Sequence, residues 1–132
     1  MARAKITKEL FMEIPDKVGL LAEVTSKIAD KGINIEAFYA YAQDNKAYFG
    51  IVTSDVEATR SILSDLQPQE KEVVMVELEN KVGAVKELAL KLKEANINLT
   101  HAYGSACSCL GGDCRCFLIF ASNNNKKALE IL

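Results

Sequence analysis

The chain has 132 residues, 49% of them hydrophobic and 26% charged, and a net charge of −2, the composition of an ordinary soluble globular protein of one or two small domains. An acidic balance without any Lys/Arg run leaves no positive field for phosphate backbones, so nucleic acid is not an expected partner. No stretch approaches the ~20 apolar residues of a membrane span and the opening MARAKITKEL lacks the apolar core of a signal peptide, so no membrane partner and a cytoplasmic location are expected.

In chain order, Lys8–Ile14 is a short apolar run that fits a buried strand, stopped by Pro15-Asp16. Asp16 is the expected helix N-cap. Leu20, Leu21, Val24, Ile28 and Ala29 recur at helical spacing, and Lys31-Gly32 closes the helix. Residues 33–43 alternate and are rich in aromatic and branched side chains. Asp44-Asn45 turns them into 47–53, which predicts an antiparallel hairpin. Residues 55–66 begin on a capping Asp and carry Val56, Ile62, Leu63 and Leu66 on one side, a second helix.

Pro68 marks the boundary between two halves, giving expected units 1–70 and 71–132. Residues 72–79 form the next strand, whose beginning can also complete the first unit. After it the chain repeats itself: Asp16–Ile35 is rewritten without a gap as Asn80–Leu99, an offset of 64 residues that keeps Lys17/Lys81, Val18/Val82, Gly19/Gly83, Glu23/Glu87, Lys27/Lys91, Ile33/Ile97 and Asn34/Asn98 identical. Such a repeat predicts two related units, each of turn, amphipathic helix and strand entry. Further on, residues 116–122 align on 48–54 at an offset of 68. This places four added residues in the second hairpin and Leu132 opposite Ser64. The fold expected is α+β: two ferredoxin-like βαββαβ units, antiparallel sheets with helices on one face, the second lacking its last strand.

The repeated turn carries the chemistry. Glycine permits close backbone approach, and a helix N-terminus offers free N–H groups and the positive end of a dipole to a carboxylate. Asn34 and Asn98 begin the next strand, expected beside the strand that leads into each turn, where an amide can meet the charged groups of a free amino acid. Local roles in turn geometry and backbone bonding are the competing reading of these Gly and Asn residues.

The pattern strand, D/N-K-x-G-x-L/V-x-E, helix, G/N-I-N-I/L resembles the signature of the ACT domain, a regulatory amino-acid-binding module. Its double occurrence makes the whole chain similar to small stand-alone tandem ACT proteins. That resemblance implies a free amino acid as ligand, held between paired domains near Asp16, Val18, Gly19, Leu20 and Asn34, and near Asn80, Val82, Gly83, Ala84 and Asn98. The family's turn usually has Pro where this chain has Val18 and Val82.

Cys107, Cys109, Cys114 and Cys116 form C-x-C-x4-C-x-C around Leu110–Asp113. With period two across a hairpin, all four thiols are expected on one face. Three readings stay open: a Zn or Fe–S site, a redox-labile cross-strand pair, and small residues filling a tight hairpin. His101, the only histidine, has no acid or nucleophile set beside it, and Phe38, Tyr39, Tyr41, Tyr48 and Phe49 read as sheet and interface packing. No P-loop, Ser/His/Asp set or paired catalytic carboxylates occur. The expected function is therefore non-enzymatic amino-acid binding by a homodimer, since small units with open sheet edges need cover. A metal- or redox-responsive module at the cysteines and a purely structural assembly domain are the alternatives.

Overall fold

Alternation along Arg3–Pro15 produces the first strand, β1, in a computed structural model that describes residues 3–104 and 115–132. The strand starts earlier than the apolar run at Lys8, because Ala4 and Ile6 alternate with the charged Arg3 and Lys5 and continue the same period. The remaining elements are α1 (Leu20–Ala29), β2 (Ile35–Gln43), β3 (Lys46–Thr53), α2 (Val56–Ile62), a 3-10 turn (Ser64–Leu66), β4 (Gln69–Glu79), α3 (Ala84–Glu94), β5 (Leu99–Gly104), β6 (Arg115–Ser122) and α4 (Asn125–Ile131). Among the described residues no helix is long and apolar enough to cross a membrane.

The chain divides into two compact units. One is Lys8–Lys71; the other is Glu72–Leu132 together with the start of β1 up to Thr7. The expected 70/71 boundary differs from this division by one residue at that junction, and by the residues up to Thr7. Their Ala4 packs against the second unit's core, so a strand segment stands there where none was expected. Likewise the first residues of β4, Gln69–Lys71, fall in the first unit.

Within Lys8–Lys71 the strand order is β2-β3-β1, all antiparallel, with Met12 opposite Phe49 and Ile14 opposite Ala47. Asp44 and Asn45 take φ values of 53° and 65°, the geometry a two-residue hairpin loop needs. Met12, Ile14, Phe49 and Ile51 pack under Leu20, Val24 and Ile28 of α1, with Leu63 sealing the cluster. Within the second unit the order is β4-β6-β5, antiparallel, and Val74, Val76, Leu78 and Phe120 pack under Leu88 and Leu92 of α3 and Ala128 of α4. This is an α+β fold of antiparallel strands and helices.

The two hairpins correct the offset of 68. Ala47, Phe49 and Ile51 face the first core, whereas Cys116, Leu118 and Phe120 face the second. The helix caps agree: Asp55 accepts from Ala58 N as Asn124 accepts from Lys127 N. The structural offset is therefore 69, as from Asp55 to Asn124, one more than the string match. A one-residue slip would turn every side chain of the strand to the wrong face, so packing overrules the resemblance of letters. Five residues rather than four are added in the second hairpin, and Leu132 is the counterpart of Leu63, not of Ser64.

Candidate functional site

The glycines of the repeated turns share one backbone conformation. Gly19 has φ 85° and ψ 4°, Gly83 φ 86° and ψ −1°. A Cβ at either would meet nothing within 4 Å, so it is the left-handed φ, not space, that demands glycine. These glycines occupy the N-cap positions of α1 and α3. Asp16, the expected cap, lies three residues too early, and its backbone N–H instead donates to Asn45 O at 3.0 Å.

Among the described residues no side chain caps α1 or α3, whereas Asp55 and Asn124 cap α2 and α4. The positive ends of α1 and α3 are thus left without a side-chain acceptor, next to Val18 and Val82, which are fully exposed. Leu20 is buried in its core and can offer a ligand only backbone; Ala84 is buried as well but lines a cavity in the second unit. Lys17 donates to Glu23 at 2.8 Å, which holds the Glu23 carboxyl below its ordinary range. In the second unit Lys81 instead lies 3.9 Å from Glu79, while Asn80 is exposed.

The asparagines sit elsewhere. Asn34 N–H donates to Ser54 Oγ at 3.1 Å and Asn34 O accepts from Ser54 N at 2.9 Å. Asn98 makes the same exchange with Asn123, at 3.1 and 3.0 Å. Both lie at the far end of their unit's first helix from the glycine turn. For the 10 residues of α1 that is roughly 15 Å at 1.5 Å per residue. The expectation that Asn34 and Asn98 lie beside the strand entering the turn is corrected: β3 is inserted between β2 and β1, and β6 between β5 and β4. Turn and asparagine of one unit cannot touch one small ligand.

Two openings lie in the second unit. A cavity of about 120 Å³ runs beneath its turn, lined by Leu78, Glu79, Lys81, Ala84, Glu87, Leu88, Lys91 and Leu132. A shallower recess of about 450 Å³ includes Lys93, Asn96, Asn98 and Asn123. Lys81, Lys91 and Leu132 were not singled out by sequence reasoning. The signal was Ala84, a small residue where the repeat has Leu20.

Cys107, Cys109 and Cys114 lie outside the described residues. Cys116 packs partly buried against the second core, its Sγ 3.8 Å from Glu79 O. Among the described residues no group of His, Cys, Asp and Glu is placed to hold a metal ion. His101 stacks on Tyr103, ring centroids 6.1 Å apart. On β1–β3 the side chains facing away from the helices form a row, with Phe11 stacked on Tyr48 at 6.2 Å, Tyr48 on Tyr41 at 4.9 Å and Tyr41 on Tyr39 at 6.2 Å. Tyr39 lies across Gly50, where a Cβ would collide with its ring, and burial together with the Glu9 charge pushes its hydroxyl up to about 12. This row packs Tyr39, Tyr41 and Tyr48 together as expected, with Tyr41 its most exposed member, whereas Phe38 stands outside it and exposed.

Residues 8–70 match the family model described as the ACT domain, so an ACT domain is present there. Comparison with curated protein sequences returns no match. Among solved structures the chain is similar to protein BT0572 from Bacteroides thetaiotaomicron, with a TM-score of 0.83 and 21% identity over 98% of this chain and 88% of that one. It is similar to the regulatory subunit of aspartate kinase from Thermus thermophilus in its ligand-free form, with a TM-score of 0.68 and 11% identity over 98% and 93%. It also resembles a structure of aspartokinase alpha and beta subunits, with a TM-score of 0.63 and 15% identity over 97% and 93%. At these identities the likeness is one of fold.

Proposed function

We propose that the chain is a non-catalytic regulatory protein that binds a free amino acid through two ACT-type units, the first matching the ACT model at residues 8–70 and the second built on the repeat beginning at Asn80. The observation that carries this reading is the pair of matching helix entries without side-chain caps at Gly19 and Gly83, in a chain whose other two helices are capped. A ligand carboxylate supplies the acceptor that those helix ends lack. The regulatory subunit of aspartate kinase, whose fold this chain shares, adds support for a sensing rather than a catalytic role. Asp16, Val18, Gly19 and Leu20, with Asn80, Val82, Gly83 and Ala84, form the turns of the two sites. Asn34 and Asn98 can join a site only from outside the unit that supplies its turn, which is the motive for a homodimer.

A thermal-shift panel of the twenty amino acids at millimolar concentration tests this. A ligand at a hundred times its Kd adds ~2.7 kcal/mol, a readily seen rise in Tm for a domain of this size. One or a few amino acids are expected to raise Tm. A flat response to all twenty sinks the reading.

A further inference from the structure

The repeat sets the same lysine and the same glutamate around both helix entries and uses them differently. Lys17 and Glu23 flank Gly19 as Lys81 and Glu87 flank Gly83. Helical side chains lean towards the N-terminus, so a glutamate at that place reaches back over the first turn of its helix. There the N–H groups of Leu21 and Ala22 in α1, and of Val85 and Lys86 in α3, meet no acceptor among the described residues. An α-amino acid carries both its charges on one carbon. With its carboxylate on these N–H groups its ammonium comes within reach of the glutamate, because one helical turn rises only ~5.4 Å.

The first unit shows what that glutamate takes. Lys17 Nζ lies 2.8 Å from Glu23 Oε2, and this hydrogen bond, with the lysine's charge, holds the Glu23 carboxyl below its ordinary range. An ammonium of the protein's own fills the seat. In the second unit Lys81 reaches the other way, to Glu79 Oε2 at 3.9 Å, so the lysine of the repeat does not fill the seat on Glu87. We propose that Glu87 receives the ammonium of the amino acid at the Gly83 turn, and that Lys17 competes with the ligand for Glu23 at the Gly19 turn, so that the second turn fills before the first. An exposed ion pair is weak, and Lys17 therefore lowers affinity by up to about fivefold rather than closing the first turn. The inference rests on the amino-acid reading above, keeps its carboxylate position and adds a requirement for a free amino group.

The test titrates each of the twenty L-amino acids, up to millimolar concentration, into the full chain and follows the backbone amide NMR signals of both turns. For an amino acid that binds, Val85 and Lys86 are expected to reach half of their shift at a concentration about two- to fivefold below Leu21 and Ala22. Lys17→Met is expected to bring the two turns together. Glu87→Gln is expected to weaken the second about tenfold, the size of a hydrogen bond to a charged group, and to leave the first unchanged. Both substitutions fall at exposed positions. N-acetylation of the amino acid, which keeps the carboxylate and removes the ammonium, should cost the native chain about the same factor and the Glu87→Gln chain nothing more. Turns that fill together in the native chain, Glu87→Gln binding as tightly as the native chain, or an N-acetyl form bound as well as the free amino acid each overturn the inference while the amino-acid reading stands. No shift at either turn with any of the twenty overturns both.

Discussion

In the first unit α1 presents Leu20, Val24 and Ile28 to the sheet, and the chain after α2 folds Leu63 and Leu66 over them. In the second, α3 presents Ala84, Leu88 and Leu92, and Leu132 stands half-buried where Leu63 is sealed. At the start of the helix the two faces differ by one residue, Ala84 where the first unit has Leu20, and the cavity in the second unit is lined by that alanine.

The sharpest way to break this comparison is to truncate the paired leucines. Leu63→Ala removes a side chain with no exposed surface and is expected to cost about 2–5 kcal/mol, since the site is closed and cannot collapse. Leu132→Ala removes a side chain that stays partly exposed, and about 1 kcal/mol is expected in proportion to the area it buries. Urea unfolding of both variants checks this. Equal losses would mean that the second face is as closed as the first.

How much of this was legible depended on whether one element or two decided the matter. The helix stripe from Leu20 to Ile28, the Asp44-Asn45 turn and the need for glycine at Gly19 and Gly83 are local, and composition with period exposes them. The Asp55 cap was legible for the same reason, whereas Asp16 misled because a turn of three further residues separates it from the helix. The offset of the second hairpin was not local. Matching Cys116 to Tyr48 follows the letters, but matching it to Ala47 follows the core, and only the register against Leu78 decides. The place of Asn34 likewise depended on β3 entering between β2 and β1.

A smaller effect should be equal in both units and so marks what the repeat shares. Gly19→Ala and Gly83→Ala force a Cβ into φ near +85° with no neighbour to clash, so each is expected to cost about 1–2 kcal/mol through the backbone alone. Thermal or urea unfolding reads both. A much larger loss at one position would show that its turn carries packing that the other lacks.

The smallest effect separates the turns again, through charge. Lys17 holds Glu23 by a hydrogen bond and by its charge, and both lower the Glu23 pKa, whereas Lys81 points to Glu79 at 3.9 Å. A carboxyl whose folded pKa is depressed stabilises the fold above its unfolded value, ~4.3 for glutamate, and that contribution is lost as the pH falls through the folded value. Carboxyl NMR titration is therefore expected to give Glu23 a midpoint below ~4.3, and Lys17→Met should return it towards the ordinary value. Because both partners are solvent-exposed, with 60% and 40% of their side chains accessible, added salt should close much of the gap as the Debye length falls to ~3 Å at 1 M. A Glu23 midpoint unmoved by Lys17→Met would show that the ion pair does not order the first turn.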